Sequence, residues 1–358
     1  VYHRPQRRSA AKRLFEFLRR LAPAGLAGCL LAGLAGCAQP QRQSVSWFDV
    51  FDTVTILQGY TTSEEEFSEQ AAALKVDLTE YHQLYDIYNS YPDMNNLKTV
   101  NDNAGVAPVQ VDQKIIDLVK LGKEMYELTD GRVNIAMGSV LSLWHDAREA
   151  GLANPESAAL PGMEALEEAA AHTDIDQVIL DEEAGTIYLA DPEMRLDVGS
   201  LGKGYAVEMV CQAAQARGLE SALLSVGGNL RAIGEKPEGP WAGGVENPWD
   251  SEAGSLFTVE LTDCALVTSG DYQRYYTVDG KQYHHIIDPA TLMPATYFDS
   301  VTVRCPDSGM ADGLSTALFN MPLEEGLELV ESLENVEAAW MLPDGSTRTS
   351  SGFSQWCR

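Results

Sequence analysis

Helical and strand-like periodicities follow one another along this chain without the strand–helix–strand alternation that a parallel sheet needs, and that irregular order most constrains its fold. Ser63 to Tyr88 predicts a helix. Ser63 caps it, Glu64, Glu65 and Glu66 fill its first turn, and Phe67, Ala71, Leu74, Leu78, Tyr81 and Tyr85 recur at helical spacing. Asp112 to Thr129 predicts a second, with Ile115, Leu118, Val119, Met125 and Tyr126 on its apolar stripe and Asp130-Gly131 ending it. Further helices are expected over Lys203–Arg217, Asp312–Phe319 and Leu323–Leu333. Phe48–Leu57 reads as the first strand, Val178–Leu180 and Thr186–Leu189 as a hairpin, and Ala222–Val226 as an apolar strand. Strands dominate from Trp241 to Val303, and Ala338–Leu342 is the last. The Asn-rich residues 89–105 read as a loop, and residues 151–162 as a surface excursion. There is no repeat of fixed period and no dinucleotide-binding glycine fingerprint. The expected class is α+β, with mixed, largely antiparallel sheets and packed helices.

The first 36 residues stand apart. They hold seven of the 25 basic residues and one of the 53 acids, so the remainder carries 18 basic against 52 acidic residues, a net of −34. Such a surface repels nucleic-acid phosphates, so a nucleic-acid partner is not expected. A basic stretch followed by the apolar run Leu21–Gly36 reads as a signal sequence; the run is 16 residues, against the roughly 20 that a spanning helix needs. It ends Leu34-Ala35-Gly36-Cys37 and turns polar at once, which looks like a bacterial lipobox with Cys37 as the lipidated residue. Residues 1–36 are therefore expected to be a signal peptide, 37–46 a linker and 47–358 the folded domain, held outside the cytoplasm on the membrane by a lipid anchor. An uncleaved anchor helix is the alternative. The remaining cysteines, Cys211, Cys264, Cys305 and Cys357, form no C-x-x-C pair, which argues against a zinc site and leaves disulfides open.

Four segments carry chemistry. Arg195 to Ala206 runs from an acid, Asp197, through a glycine turn into a helix that opens with Lys203; a helix start after such a turn suits phosphate. Val226-Gly227-Gly228-Asn229 lets a backbone approach closely after an apolar strand. In Tyr283 to Pro289, neighbouring histidines on a strand face opposite ways, so one of them can reach a site, and His285 with Asp288 offers an acid–base pair. In Met310 to Phe319, Asp312 reads as an N-cap, yet it shares a helix face with Thr316, with Ser315 beside them. A carboxylate and hydroxyls make an oxygen set suited to a hard cation such as Mg²⁺.

In this order, and together with Thr129-Asp130-Gly131-Arg132-Val133-Asn134 and Thr268-Ser269-Gly270-Asp271, these segments resemble the bacterial FAD:protein FMN transferases, the ApbE family. The resemblance covers roughly Trp47 to the C-terminus and implies a two-lobed, T-fold-like architecture. It implies Mg²⁺ held by the main-chain carbonyl of Ser200 with Asp312 and Thr316, Ser315 adding a contact. It implies FAD near Asp197, Lys203 and Ile286, with Ala136-Met137-Gly138 in the adenine or ribose pocket and Tyr88 or Tyr91 against the flavin. His285 matches the family's histidine, and His285 or Asp288 is the expected base. Leu292 stands where family members often have glycine. The implied activity splits FAD, transfers FMN to a Thr or Ser of an acceptor subunit of a membrane redox complex and releases AMP. A flavin-scavenging lipoprotein that binds or hydrolyses FAD is the alternative.

Overall fold

The computed structural model describes residues 39–358. Cys37, the signal peptide and the start of the expected linker lie outside the described residues. At the centre is an eight-stranded sheet of order β1-β2-β6-β7-β10-β13-β14-β15. These strands are β1 (Gln41–Val50), β2 (Thr53–Thr61), β6 (Ala222–Val226), β7 (Asn229–Ile233), β10 (Ala265–Gly270), β13 (Ser300–Cys305), β14 (Glu337–Met341) and β15 (Thr347–Thr349). Every neighbouring pair is antiparallel. A three-stranded sheet of β3 (Val109–Gln110), β5 (Thr186–Leu189) and β4 (Val178–Asp181) and two hairpins, β8–β9 (Trp241–Glu246, Ser255–Leu261) and β11–β12 (Tyr275–Val278, Lys281–His284), complete the β structure among the described residues. The α+β expectation holds, and residues 41–358 form one contact unit.

The helices are α1 (Glu64–Tyr85), α2 (Leu97–Asp102), α3 (Gln113–Leu128), α4 (Gly138–Ala153), α5 (Met163–Ala170), α6 (Gly202–Ala216), α7 (Ser308–Phe319) and α8 (Leu323–Ser332). Ser63 caps α1 by accepting from the Glu66 N–H, and Asp112 caps α3 by accepting from the Lys114 N–H. The main core joins α1, α3, α6 and α7 to the large sheet, with Leu57, Leu74, Leu78, Ile115, Leu118, Leu224, Val303 and Leu314 fully enclosed.

Three expectations need correction. Residues 41–46 are not a linker but most of β1, an outer strand paired along one edge only, whose exposed residues in this stretch, Gln41, Arg42, Ser44 and Ser46, are polar. Residues 89–105 contain α2, started by a capping box in which Asn96 and Thr99 bond reciprocally. Asp312 is not an N-cap: α7 begins a turn earlier, capped by Asp307, which accepts from the Met310 N–H at 2.8 Å.

Two close approaches position the site. A methyl group on Gly204 would lie 2.3 Å from the Ser308 carbonyl oxygen and 2.4 Å from Asp312 Cβ, so α6 meets α7 at a point that only a hydrogen can occupy. Gly227, at φ +55°, lets the β6–β7 turn pass the β1–β2 hairpin, where a Cβ would come 2.6 Å from Thr53 Oγ1.

Candidate functional site

A cleft of about 630 Å³ opens where the α6 and α7 starts, the end of β10 and the β1–β2 tip face α4 and the segment after β12. Tyr88, Met137, Asp197, Ser200, Lys203, His285, Ile286, Asp312 and Thr316 line it. Four basic side chains (Arg132, Arg148, Lys203, Arg274) balance four acidic ones there (Asp52, Asp86, Asp197, Asp312), in a body where acids far outnumber bases. The cleft is thus the part of this acidic surface fitted to an anionic ligand.

On the cleft floor, α6 and α7 bring the expected oxygen donors together. Thr316 Oγ1 donates to the Ser200 carbonyl at 3.4 Å. Asp312, one turn earlier on the same face, accepts from the Gly204 N–H at 2.7 Å through Oδ2 and pairs with Lys203 Nζ at 3.4 Å through Oδ1. The glycine turn therefore does not leave a row of free helix-start donors for phosphate. The Gly202 N–H bonds the Val198 carbonyl at 2.7 Å and the Gly204 N–H bonds Asp312, so the turn carries the carboxylate to the positive end of α6. Ser269 Oγ, from the end of β10, stands 3.5 Å from Thr316 Oγ1 and 2.8 Å from Ser315 Oγ.

Ser315 does not join this set. It is fully buried, it donates to the Asp312 carbonyl at 2.9 Å, and Ser269 takes the place on the cleft wall expected of it. The donors fit a small hard cation in kind: one carboxylate, one main-chain carbonyl and hydroxyls, with room for ligand oxygens in the cleft. Among the described residues no three His, Cys, Asp or Glu side chains gather as a metal-binding group.

Asp197 turns its carboxylate back on the Gly199 N–H at 2.8 Å, and burial raises its pKa although that bond opposes the shift. Of the two candidate tyrosines, Tyr88 faces the cleft and Tyr91 does not, because the Tyr91 hydroxyl is tied to Asp86 Oδ2 at 2.7 Å. The Tyr88 ring lies against His145, centroids 5.0 Å apart at 30°. Desolvation of its hydroxyl end, with Asp197 adding to it, lifts its pKa to about 12, so it stays a neutral aromatic plate. Met137 lines the cleft, whereas Ala136 is enclosed behind it. Gly138 anchors the start of α4 by donating to the Arg195 carbonyl at 3.0 Å and borders a smaller adjoining cavity.

The two histidines divide as strand geometry requires. His284 is buried, its Nε2 set 2.7 Å from the Ala295 carbonyl, while His285 is open to the cleft. The protein mass around His285, then the charge of Arg274, lower its pKa to about 4, so the ring is neutral near pH 7. Asp288 is not its partner. It is 2% exposed, accepts from the Ala290 N–H at 2.9 Å, faces Arg132 Nη1 at 3.7 Å and is absent from the cleft wall. Asp288 shapes the turn after His285 and does not line the cleft.

The sequence reading missed the whole α4 wall, where Leu141, Trp144, His145 and Arg148 line the cleft at i, i+3, i+4 and i+7. That spacing is the signal that could have found them. Trp144 also donates from Nε1 to the Leu292 carbonyl at 2.9 Å, holding a leucine at φ +59°, a left-handed conformation that glycine adopts freely. The remaining cysteines, Cys211, Cys264, Cys305 and Cys357, are free thiols, and burial pushes Cys211 and Cys305 up to about 12.

A family model described as the ApbE family matches residues 51–340. A Treponema pallidum protein named FAD:protein FMN transferase is 32% identical over 348 residues, which cover 92% of this chain and 93% of that one. Among solved structures, the ApbE protein of Thermotoga maritima superposes with a TM-score of 0.78 at 29% identity, covering 89% of this chain and all of that one. The apo form of the flavinyl transferase ApbE from Pseudomonas stutzeri gives 0.74 at 25% identity, covering 89% and 97%.

Proposed function

The chain belongs to the ApbE family, and from that premise we propose that it is a Mg²⁺-dependent FAD:protein FMN transferase acting on an acceptor outside the cytoplasm. The observation that carries this reading is the meeting of Asp312, Thr316 and the Ser200 carbonyl beside Lys203, on the floor of a cleft whose cationic content departs from the rest of the surface. Asp312, Thr316 and Ser200 are the residues that would hold Mg²⁺, with Ser269 in reach of Thr316. Bound there, the cation supplies charge neutralisation on the pyrophosphate of FAD and makes AMP a better leaving group.

The protein's own groups do the rest. Lys203 adds a positive charge beside the phosphates, Tyr88 and Met137 offer a plate and an apolar contact for a ring, and His285 waits as a base. The hydroxyl oxygen of an acceptor Thr or Ser forms a bond to the FMN phosphorus, the phosphorus bond to the AMP oxygen breaks, and the hydroxyl proton passes to His285. His285 is neutral near pH 7, so its ring nitrogen carries a free lone pair for that proton. The lipobox at Cys37 supports a lipid-anchored, extracytoplasmic protein, and a subunit of a membrane redox complex that carries covalent FMN fits as the acceptor.

The test is intact mass spectrometry of an acceptor domain incubated with FAD, Mg²⁺ and the protein. An FMN adduct on a hydroxyl residue, with one AMP released per adduct, is expected. Asp312→Ala should abolish both, and full transfer by that variant would remove the metal assignment. The cleft is open to solvent at His285, so water can compete with the acceptor; FMN and AMP released without any adduct would mark the hydrolytic alternative.

A further inference from the structure

The Arg274 carbonyl, at the end of the β10–β11 connection, receives two contacts from His285. The His285 main-chain N–H donates to it at 3.1 Å, and the ring Nδ1 lies 3.2 Å from it. A carbonyl oxygen only accepts, so the ring contact is attractive only when Nδ1 carries the hydrogen. That leaves Nε2 as the ring's basic atom. The Arg274 side chain lines the same cleft and, among the described residues, has no carboxylate partner.

We infer that Arg274 is a positioning residue for the flavin-transfer reaction: its carbonyl fixes His285 as the Nδ1–H tautomer with Nε2 as the base, and its guanidinium shares the cleft wall with that ring. This rests on the transferase reading above but concerns a property of the resting protein. The groups bearing on the His285 ring are Arg274 before β11, His284 at the end of β12 and Arg148 on α4; each, when charged, disfavours the imidazolium. Asp288, the nearby carboxylate on the same segment, is turned to Arg132 and the Ala290 N–H and offers no opposing charge. The same guanidinium stands where it can also attract a phosphate, so a ligand that draws it away would raise the basicity of Nε2 when transfer is due.

The test is long-range proton–nitrogen NMR of histidine-labelled protein without ligand, followed through a pH titration, with His285→Asn identifying the signal. The wild type should show an Nδ1–H tautomer and protonate well below the ordinary histidine value of 6.5. Arg274→Gln should move that midpoint up by roughly one pH unit, and Arg274→Lys, which keeps the charge, should restore it. The acid limb of the transfer rate against pH should move in the same pattern. An Nε2–H tautomer in the wild type, or a midpoint that Arg274→Gln leaves in place, overturns the inference. If the wild type shows no FMN transfer at any pH, the transferase reading fails while the NMR result stands or falls by itself.

Discussion

At the scale of single residues, the site depends on a hydrogen atom. Gly204 lets the Ser308 carbonyl and Asp312 come within a distance that no Cβ tolerates, and its own N–H grips Asp312 Oδ2. Gly204→Ala should therefore cost roughly 1–3 kcal/mol by forcing α6 from α7, and it should weaken Mg²⁺ dependence more than FAD binding, since Asp312 moves with the backbone. Denaturant melts and a Mg²⁺ titration of transfer measure the two effects; an unchanged Mg²⁺ midpoint would show that Asp312 is not held by this contact. That Asp312 and Thr316 share a helix face was legible in their spacing, whereas the glycine turn at 199–204 read as a helix start for phosphate and in the structure gives its N–H groups to Val198 and Asp312. Ser315 and Asp288 do not line the cleft for one reason. Both sit close in sequence to a residue that does, and side-chain direction within one turn decides which faces the cleft. Ser269, Arg148 and Arg274 left only weak traces, since a polar residue near a strand end or on an exposed helix looks like ordinary surface.

At the scale of elements, α6, β7 and α7 are joined by a buried charge network. Arg231 donates to both Glu208 oxygens at 2.7 and 3.0 Å, and Glu208 also accepts from the Ser308 N–H at 2.9 Å. Burial alone would raise the Glu208 pKa, but the Arg231 bonds outweigh it and hold the carboxyl below its ordinary 4.5. A depressed carboxylate adds stability that is complete above 4.5 and is lost as the pH falls through its folded value. Glu208→Ala strands Arg231 and should cost about 3–5 kcal/mol near neutral pH, with a flatter loss of stability below pH 4.5 than the wild type shows. Equilibrium unfolding at several pH values checks both; equal acid slopes in the two proteins would exclude Glu208 as the titrating group. Elements with one buried stripe, such as α1 and α3, were plain in the sequence. Those missed were β1, whose first six residues are polar but for Val45; α2, a short helix started by an Asn in an Asn-rich stretch; and α4, whose inner face is shared between a small apolar cluster around Val140 and Trp144 and the cleft.

At the scale of the whole molecule, a net charge of −34 on residues 37–358 surrounds a cleft with balanced charge. FAD is itself an anion, so its long-range approach is opposed and only its final contacts are favourable. Added salt shortens the reach of that opposition to about 8 Å at 0.15 M. The association rate for FAD, followed by stopped-flow flavin fluorescence, should therefore rise with ionic strength up to that range; a steady fall would mean that the cleft's cations dominate beyond its mouth. The outer hairpin has a mechanical meaning as well. Its open end is the pair Gln41 and Thr61, and its tip, Phe51 to Thr53, forms cleft wall. A tug on the chain ahead of Gln41 must unzip β1 rung by rung, across roughly 30 Å, before the tip feels any load. The strand acts as a strain relief, like the sleeve on a cable, between its own first residues and the cleft.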